Sequence, residues 1–275
     1  MKRKEPESGM SDAPRSSKSN IHKEISFNHL SAMEEKDYTD TTEGDHVRRK
    51  RTELEAEVFM HKTKAHEVVS HLPAEPQLPD VHPYIPQLLD DAIFCGHLVT
   101  DLDSIAGAIG AAELYSGTAS RASQINSETA FTLQYWGVEQ PRPIEELLIE
   151  KPDSGVCLVD HQQVSQLNKS IDVDRIVGVI DHHALQNATI VTDKPIYIDI
   201  RPWGSMSTII AHTFMTLQRR PTKSTAGLLL CAILSDTLNL CGPTTTEWDR
   251  LMATILVEIA GVSNKYDIYM YTLWM

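Results

Sequence analysis

The chain has 275 residues and a mass of 30.8 kDa, with 38 acidic against 25 basic side chains and a formal charge of −13. That acidic excess excludes a protein that coats nucleic acid, because neutralising phosphate requires Lys and Arg in surplus. The content of 41% hydrophobic and 23% charged residues excludes a chain disordered throughout, and the length is enough to bury a sizeable core.

Residues 1–85 are rich in Ser, Lys, Glu and Asp and read as a largely disordered extension without a packed core of its own. Within it, residues 45–69 hold good helix formers and predict one exposed amphipathic helix able to dock on the folded part. The basic cluster Arg48, Arg49, Lys50 and Arg51 reads as a solvated face of that helix ahead of a nuclear-import address or a site for an acidic partner. The proline-containing stretch 72–86 reads as a stiff linker.

Residues 86–275 then form one domain in which short apolar runs alternate with longer helical ones. Strands are predicted at 92–96, 156–159, 176–180 and 196–200, and helices at 104–115, 207–217, 224–235 and 246–259. Such alternation predicts an α/β fold, a mostly parallel sheet with helices on both faces. The four cysteines, Cys95, Cys157, Cys231 and Cys241, contain no CxxC pair, and three lie in apolar runs. They read as small buried hydrophobes of a reducing compartment, so a cytoplasmic location is expected. No apolar run reaches the roughly 18 to 20 residues that span a bilayer, and residues 1–20 contain no hydrophobic region suited to a signal peptide.

In open α/β sheets, ligands bind beyond the carboxyl ends of the strands. Here those ends are acidic and rich in histidine. The first predicted strand empties into Gly96-His97-Leu98-Val99-Thr100-Asp101-Leu102-Asp103-Ser104. Taken alone, these carboxylates suit either caps of the following helix or metal ligands. The later runs Val159-Asp160-His161 and Asp181-His182-His183 repeat the design, an apolar strand emptying into Asp-His. Packing explains such a repetition poorly, because buried carboxylates need charge partners, and divalent cations supply them. A further carboxylate, Asp236, closes the apolar run 227–235. Nitrogen and carboxylate donors without thiolate suit Mn²⁺, or Co²⁺ and Fe²⁺, better than structural zinc or Ca²⁺.

Several motifs in fixed order then carry a family resemblance. They are His97-x-x-x-Asp101-x-Asp103-Ser104, Val159-Asp160-His161, Asp181-His182-His183, Arg201-Pro202-x-Gly204-Ser205, and Ile233-Leu234-Ser235-Asp236-Thr237 followed by Pro243-Thr244-Thr245-Thr246. Over about residues 90–270 the chain resembles the DHH phosphoesterase superfamily, and within it the manganese-dependent, family II inorganic pyrophosphatases. The resemblance implies that His97 and Asp101 bind a first metal, that Asp103, His182 and Asp236 bind a second, and that Asp160 bridges both. It makes His183 a catalytic group facing substrate phosphate and Asp181 the group that orients the histidines. Gly204 and Ser205, opening a helix, are expected either to contact phosphate or to act as a plain N-cap.

The implied reaction splits pyrophosphate into two phosphates through a metal-bridged hydroxide, without a covalent enzyme intermediate. The implied cofactors are two Mn²⁺ per site, with Co²⁺ or Mg²⁺ as substitutes, and additional Mg²⁺ arriving with substrate. A homodimer formed through edge strands is the expected assembly; no nucleic-acid or membrane partner is expected. Family members carry a C-terminal DHH-associated domain whose Lys and Arg grip pyrophosphate, and this lid is expected to be lacking here. The apolar stretch 268–274 is then expected to meet further chain or a partner. The alternative readings are an exopolyphosphatase or prune-like phosphodiesterase of the same superfamily, and a metal-binding interaction module with little catalysis. In those enzymatic relatives the first-motif histidine is commonly replaced, so His97 favours the pyrophosphatase.

Overall fold

Six strands pair side by side in the order β3-β2-β1-β4-β5-β6, all parallel. They are β1 (Ile93–Cys95), β2 (Thr118–Arg121), β3 (Arg142–Pro143), β4 (Val156–Val159), β5 (Ile176–Asp181) and β6 (Tyr197–Ile200). The helices are α1 (Thr42–His71), α2 (Leu102–Tyr115), α3 (Ser127–Trp136), α4 (Ile144–Glu150), α5 (Met206–Thr216), α6 (Lys223–Asp236) and α7 (Glu247–Ala260). The computed structural model describes residues 42–76 and 86–262. The expectations for the first 41 residues, for most of the linker (77–85) and for the stretch 268–274 lie outside the described residues.

The central strands are apolar on both faces, as a covered parallel sheet requires. Alternate residues divide between two cores. Phe94, Cys157, Val159 and Ile180 join a large cluster with α2, α5, α6 and α7, while Ile93, Cys95, Val156, Leu158 and Val179 pack with α4 and the loop residues Leu167 and Ile171. The predicted α/β class and parallel sheet are thus observed, with the thicker helical layer on one face.

Each predicted strand and helix from residue 92 onward is present, with ends shifted by at most two residues. β2, α3, β3 and α4 were not predicted. β2, Thr-Ala-Ser-Arg, has one buried residue and no apolar run to announce it. The helix foreseen at 45–69 forms as α1, with Ala65 1% exposed against the large cluster and Val68 and Val69 packed beside it. Three of the four cysteines are buried, and all four are free thiols. No helix among the described residues is long and apolar enough to cross a membrane.

From β1 the chain runs outward to β2 and β3, then returns to lay β4 against the other side of β1 before continuing to β5 and β6. The order therefore reverses between β1 and β4. A reversal of this kind opens a crevice at the carboxyl ends of the two strands, because their connections leave in opposite directions.

Candidate metal centre

The histidines and carboxylates singled out in the sequence, His161 excepted, converge at that crevice. His97, two residues past β1, places Nε2 3.3 Å from Asp101 Oδ2 and 3.2 Å from Asp160 Oδ2. The other oxygen of Asp160, Oδ1, lies 3.3 Å from His182 Nε2, which in turn is 3.8 Å from Asp236 Oδ2. Two groups result, His97 with Asp101 and Asp160, and Asp103 with His182 and Asp236; in each, the potential ligand atoms all lie within 4.8 Å of one another. A third group joins Asp160 to His182 and His183 within the same limit. Asp160 thus stands between the groups with one oxygen toward each histidine. A cleft of about 460 Å³, lined by His97, Thr100, Asp101, Ser123 and Asn126 among others, opens beside them.

Local structure explains how each side chain is aimed. Asp101 caps α2, accepting from Ser104 N–H at 3.0 Å through Oδ1 and leaving Oδ2 for His97. The cap and the ligand readings of this residue are therefore compatible, one oxygen for each. Ser104 Oγ donates to Asp160 Oδ2 at 2.9 Å, and Gly96 permits this approach, since a Cβ there would sit 2.4 Å from Ser104 Cβ. Asp181 Oδ1 accepts from the backbone N–H of His182 and His183 and lies 2.9 Å from His183 Nδ1. It orients the His183 ring. The His182 ring is held instead by the Trp203 carbonyl, 3.0 Å from Nδ1, a backbone partner that nothing in the sequence announced.

Of the two expectations for Gly204 and Ser205, the geometry matches the N-cap rather than the phosphate contact. Gly204 N–H donates to the Asp249 carboxylate, and Ser205 Oγ donates to Asp103 Oδ1 at 3.0 Å; both residues are buried. Met206 N–H and Ser207 N–H also donate to Asp103, at 2.7 and 2.9 Å. The amino end of α5 does receive an anion, but the anion is the protein's own Asp103, so these donors are not available to substrate phosphate. Ser205 is also the N-cap of α5, accepting from Ser207 N–H. His161, the partner of Asp160 in its motif, turns inward with Nδ1 3.0 Å from the Val159 carbonyl and belongs to none of the ligand groups.

The electrostatics describe a site short of positive charge. Asp103 and Asp160 are buried, and the ion pairs of Asp101, Asp160 and Asp236 are all with histidine among the described residues. Burial, together with the neighbouring Asp103 carboxylate, pushes Asp236 up to about 11. Burial opposes the charged form of His97, yet hydrogen bonds to Asp101 and Asp160 raise it to about 10. Against the same desolvation, Asp160 carries His182 to about 9. Asp160 itself, although buried, is held below the usual carboxylate range by His182 and His97. Among the described residues no well-formed hydrogen bond reaches its Oδ1, the His182 Nε2 3.3 Å away being paired by charge, and His97 Nδ1 has no hydrogen-bond partner. A buried carboxylate oxygen aimed between two imidazoles and short of a donor fits a divalent cation. The nitrogen and oxygen donor set fits Mn²⁺ in kind.

The profile of the DHH family, N-terminal domain, matches residues 92–233. The chain belongs to the DHH family. This DHH chain is 40% identical over 185 residues to a probable manganese-dependent inorganic pyrophosphatase of Listeria innocua, an alignment covering 66% of the chain and 58% of the relative. It is 37% identical over 186 residues to the manganese-dependent inorganic pyrophosphatase of Methanocaldococcus jannaschii, covering 65% and 58%. The crystal structure of a putative family II inorganic pyrophosphatase from Methanococcus jannaschii superposes with a TM-score of 0.59 at 36% identity, over 66% of this chain and 60% of that one. The DHH chain therefore spans somewhat more than half the length of the pyrophosphatases it matches.

Proposed function

We propose that this DHH domain holds two divalent cations, Mn²⁺ in the first instance, and hydrolyses pyrophosphate to two phosphates. The observation that carries the proposal is the division of the Asp160 carboxylate, 3.2 Å from His97 Nε2 through one oxygen and 3.3 Å from His182 Nε2 through the other. His97, Asp101 and Asp160 would hold one cation; Asp103, His182 and Asp236 would hold the other, with Asp160 common to both. When bound, two such cations supply Lewis-acid charge that offsets the carboxylates, draws in a polyanion and activates water. Mg²⁺ or Co²⁺ would substitute, and further Mg²⁺ would arrive with substrate.

The chain's own residues supply the rest. His183 is half exposed, and Asp181 engages its Nδ1, so Nε2 is left for substrate. That hydrogen bond also raises the His183 pKa, which suits an imidazolium that binds phosphate and returns a proton to the leaving group. Ser104 fixes Asp160, and the turn before α5 fixes Asp103 and His182, so the reacting groups are held in place before substrate binds.

The charge of −13 supports a partner other than nucleic acid, and the free thiols support a cytoplasmic setting. β6 pairs with a neighbour on one side only among the described residues and exposes Ile198 at 61%, which supports a homodimer joined at that edge. The deciding experiment measures phosphate released from pyrophosphate by the 275-residue chain with Mn²⁺, without metal, and in the Asp160→Asn variant. Mn²⁺-dependent turnover that disappears in the variant is expected. A folded, Mn²⁺-loaded chain that neither binds nor cleaves pyrophosphate, beside an active two-domain relative, would overturn the proposal.

A further inference from the structure

The Asp103, His182 and Asp236 group draws its members from three elements; two of them, Asp103 and His182, bond to a single turn, residues 203–207, and the residue after the third packs against it. His182 Nδ1 is 3.0 Å from the Trp203 carbonyl. Asp103 accepts from Ser205 Oγ, Met206 N–H and Ser207 N–H. Thr237, which follows Asp236, presses on the middle of the turn so closely that a Cβ on Gly204 would lie 2.7 Å from Thr237 Cγ2. The position of this turn therefore sets the spacing of Asp103 and His182 and bears on Asp236 through Thr237.

A carboxylate from α7 fixes the turn. Asp249 is fully buried, and both its oxygens accept from Gly204 N–H, at 3.1 and 3.0 Å. Oδ1 also accepts from Thr208 Oγ1 at 2.6 Å, and Oδ2 accepts from Thr246 N–H and Thr246 Oγ1, both at 2.7 Å. The capping box of α7 accounts for the bond from Thr246 N–H, and the Thr246 Oγ1 bond is local to the same helix start. The bonds to Gly204 and Thr208 reach across to another element and do nothing for the cap. We propose that Asp249 is the positioning residue of the Asp103, His182 and Asp236 group, acting through the Gly204 turn. The inference rests on the two-cation reading above and makes a site-selective claim, since none of the side chains of the His97, Asp101 and Asp160 group bonds to that turn.

The substitution Asp249→Asn replaces one acceptor oxygen with an NH₂ facing hydrogen-bond donors, so the turn loses part of its tether while the side-chain volume is kept. Mn²⁺ titration of the full 275-residue chain, followed by the electron paramagnetic resonance signal of free Mn²⁺, reads the two binding events separately. The wild type is expected to take up two ions. In Asp249→Asn one event should weaken by roughly 10- to 100-fold, the range for residues that orient metal ligands, while the other keeps its affinity. Thr208→Val, which removes one donor to Asp249, should weaken the same event by less, and it decides the question by the same criteria if Asp249→Asn does not fold. A merely structural role would lower the melting temperature and leave both events as they are. Wild-type affinity at both events, or equal weakening of both, overturns the inference. Failure of the wild type to bind a second ion instead removes the two-cation reading, and this inference with it.

Discussion

Asp160 adopts a left-handed backbone conformation, with φ of 65°, a region that costs roughly 1–2 kcal/mol for most residues and least for Asn, Asp and Gly. The strain turns the residue out of the line of β4, so that its carboxylate lies between two imidazoles rather than in the sheet. Because asparagine tolerates the same backbone, Asp160→Asn isolates the charge. Mn²⁺ affinity should fall by more than the roughly 10- to 100-fold typical of an indirect partner, with helix content unchanged by circular dichroism. Loss of secondary structure instead would mean that the charge serves the fold. His183→Gln should behave in the opposite way, keeping Mn²⁺ stoichiometry while turnover drops by about 10²–10⁴, the usual weight of a proton-transfer group. Equal loss of metal would place His183 among the ligands instead. The ligand candidates were legible because each follows an apolar run within a few residues. Asp249 was not: Thr246-x-x-Asp249 reads as a helix cap, and its second partner, Gly204 N–H, is a backbone group far away in the sequence.

Among the elements, those carrying long apolar runs could be read directly, whereas β2, α3, β3 and α4 could not. α3 begins with a clear N-cap, Asn126, and ends at Gly137 in the left-handed region, yet its interior is mixed in polarity. Its place is set by tertiary contact. Trp136 lies against Gly227 in the middle of α6, where a Cβ would sit 2.1 Å from the indole ring. The Trp136 Nε1–H donates to Cys231 Sγ one turn further on. Gly227→Ala should therefore displace the indole and cost about 1–3 kcal/mol of stability, read as a lower denaturant midpoint with an unchanged slope. An unchanged midpoint would mean that α3 yields without cost. α1 carried a different signal. Its composition announced a helix, but only the packing of Ala65, with Val68 and Val69 beside it, shows which face is covered, because these few residues mark no continuous stripe in a polar stretch.

For the molecule as a whole, protonation of the centre links stability to pH. In the metal-free protein His97 and His182 lie at about 10 and about 9, above their unfolded value of 6.5, and Asp236 lies at about 11, above 3.8. The folded state thus holds protons that the unfolded chain has already released. The histidine contribution is complete below about pH 6.5 and is lost as pH rises through about 9 to 10, and Asp236 adds a decline of the same sign above about pH 4. The melting temperature of the metal-free protein should fall between pH 6.5 and 9.5. Saturating Mn²⁺ should flatten that slope, with protons released on binding at pH 7. A metal-free melting temperature that rises across this interval would contradict the charge arrangement.

The all-parallel sheet also fixes an order of events. With no hairpin between any two of the described strands, every pairing among them waits for an intervening crossover to form, and closing such long loops makes folding slow. The ligand groups reach from His97 to Asp236, with Asp160 and His182 just past the ends of β4 and β5, which follow in the chain after it has returned to the centre of the sheet. A cation therefore finds its complete set of donors only late in folding. In a refolding experiment, Mn²⁺ should slow unfolding far more than it speeds folding.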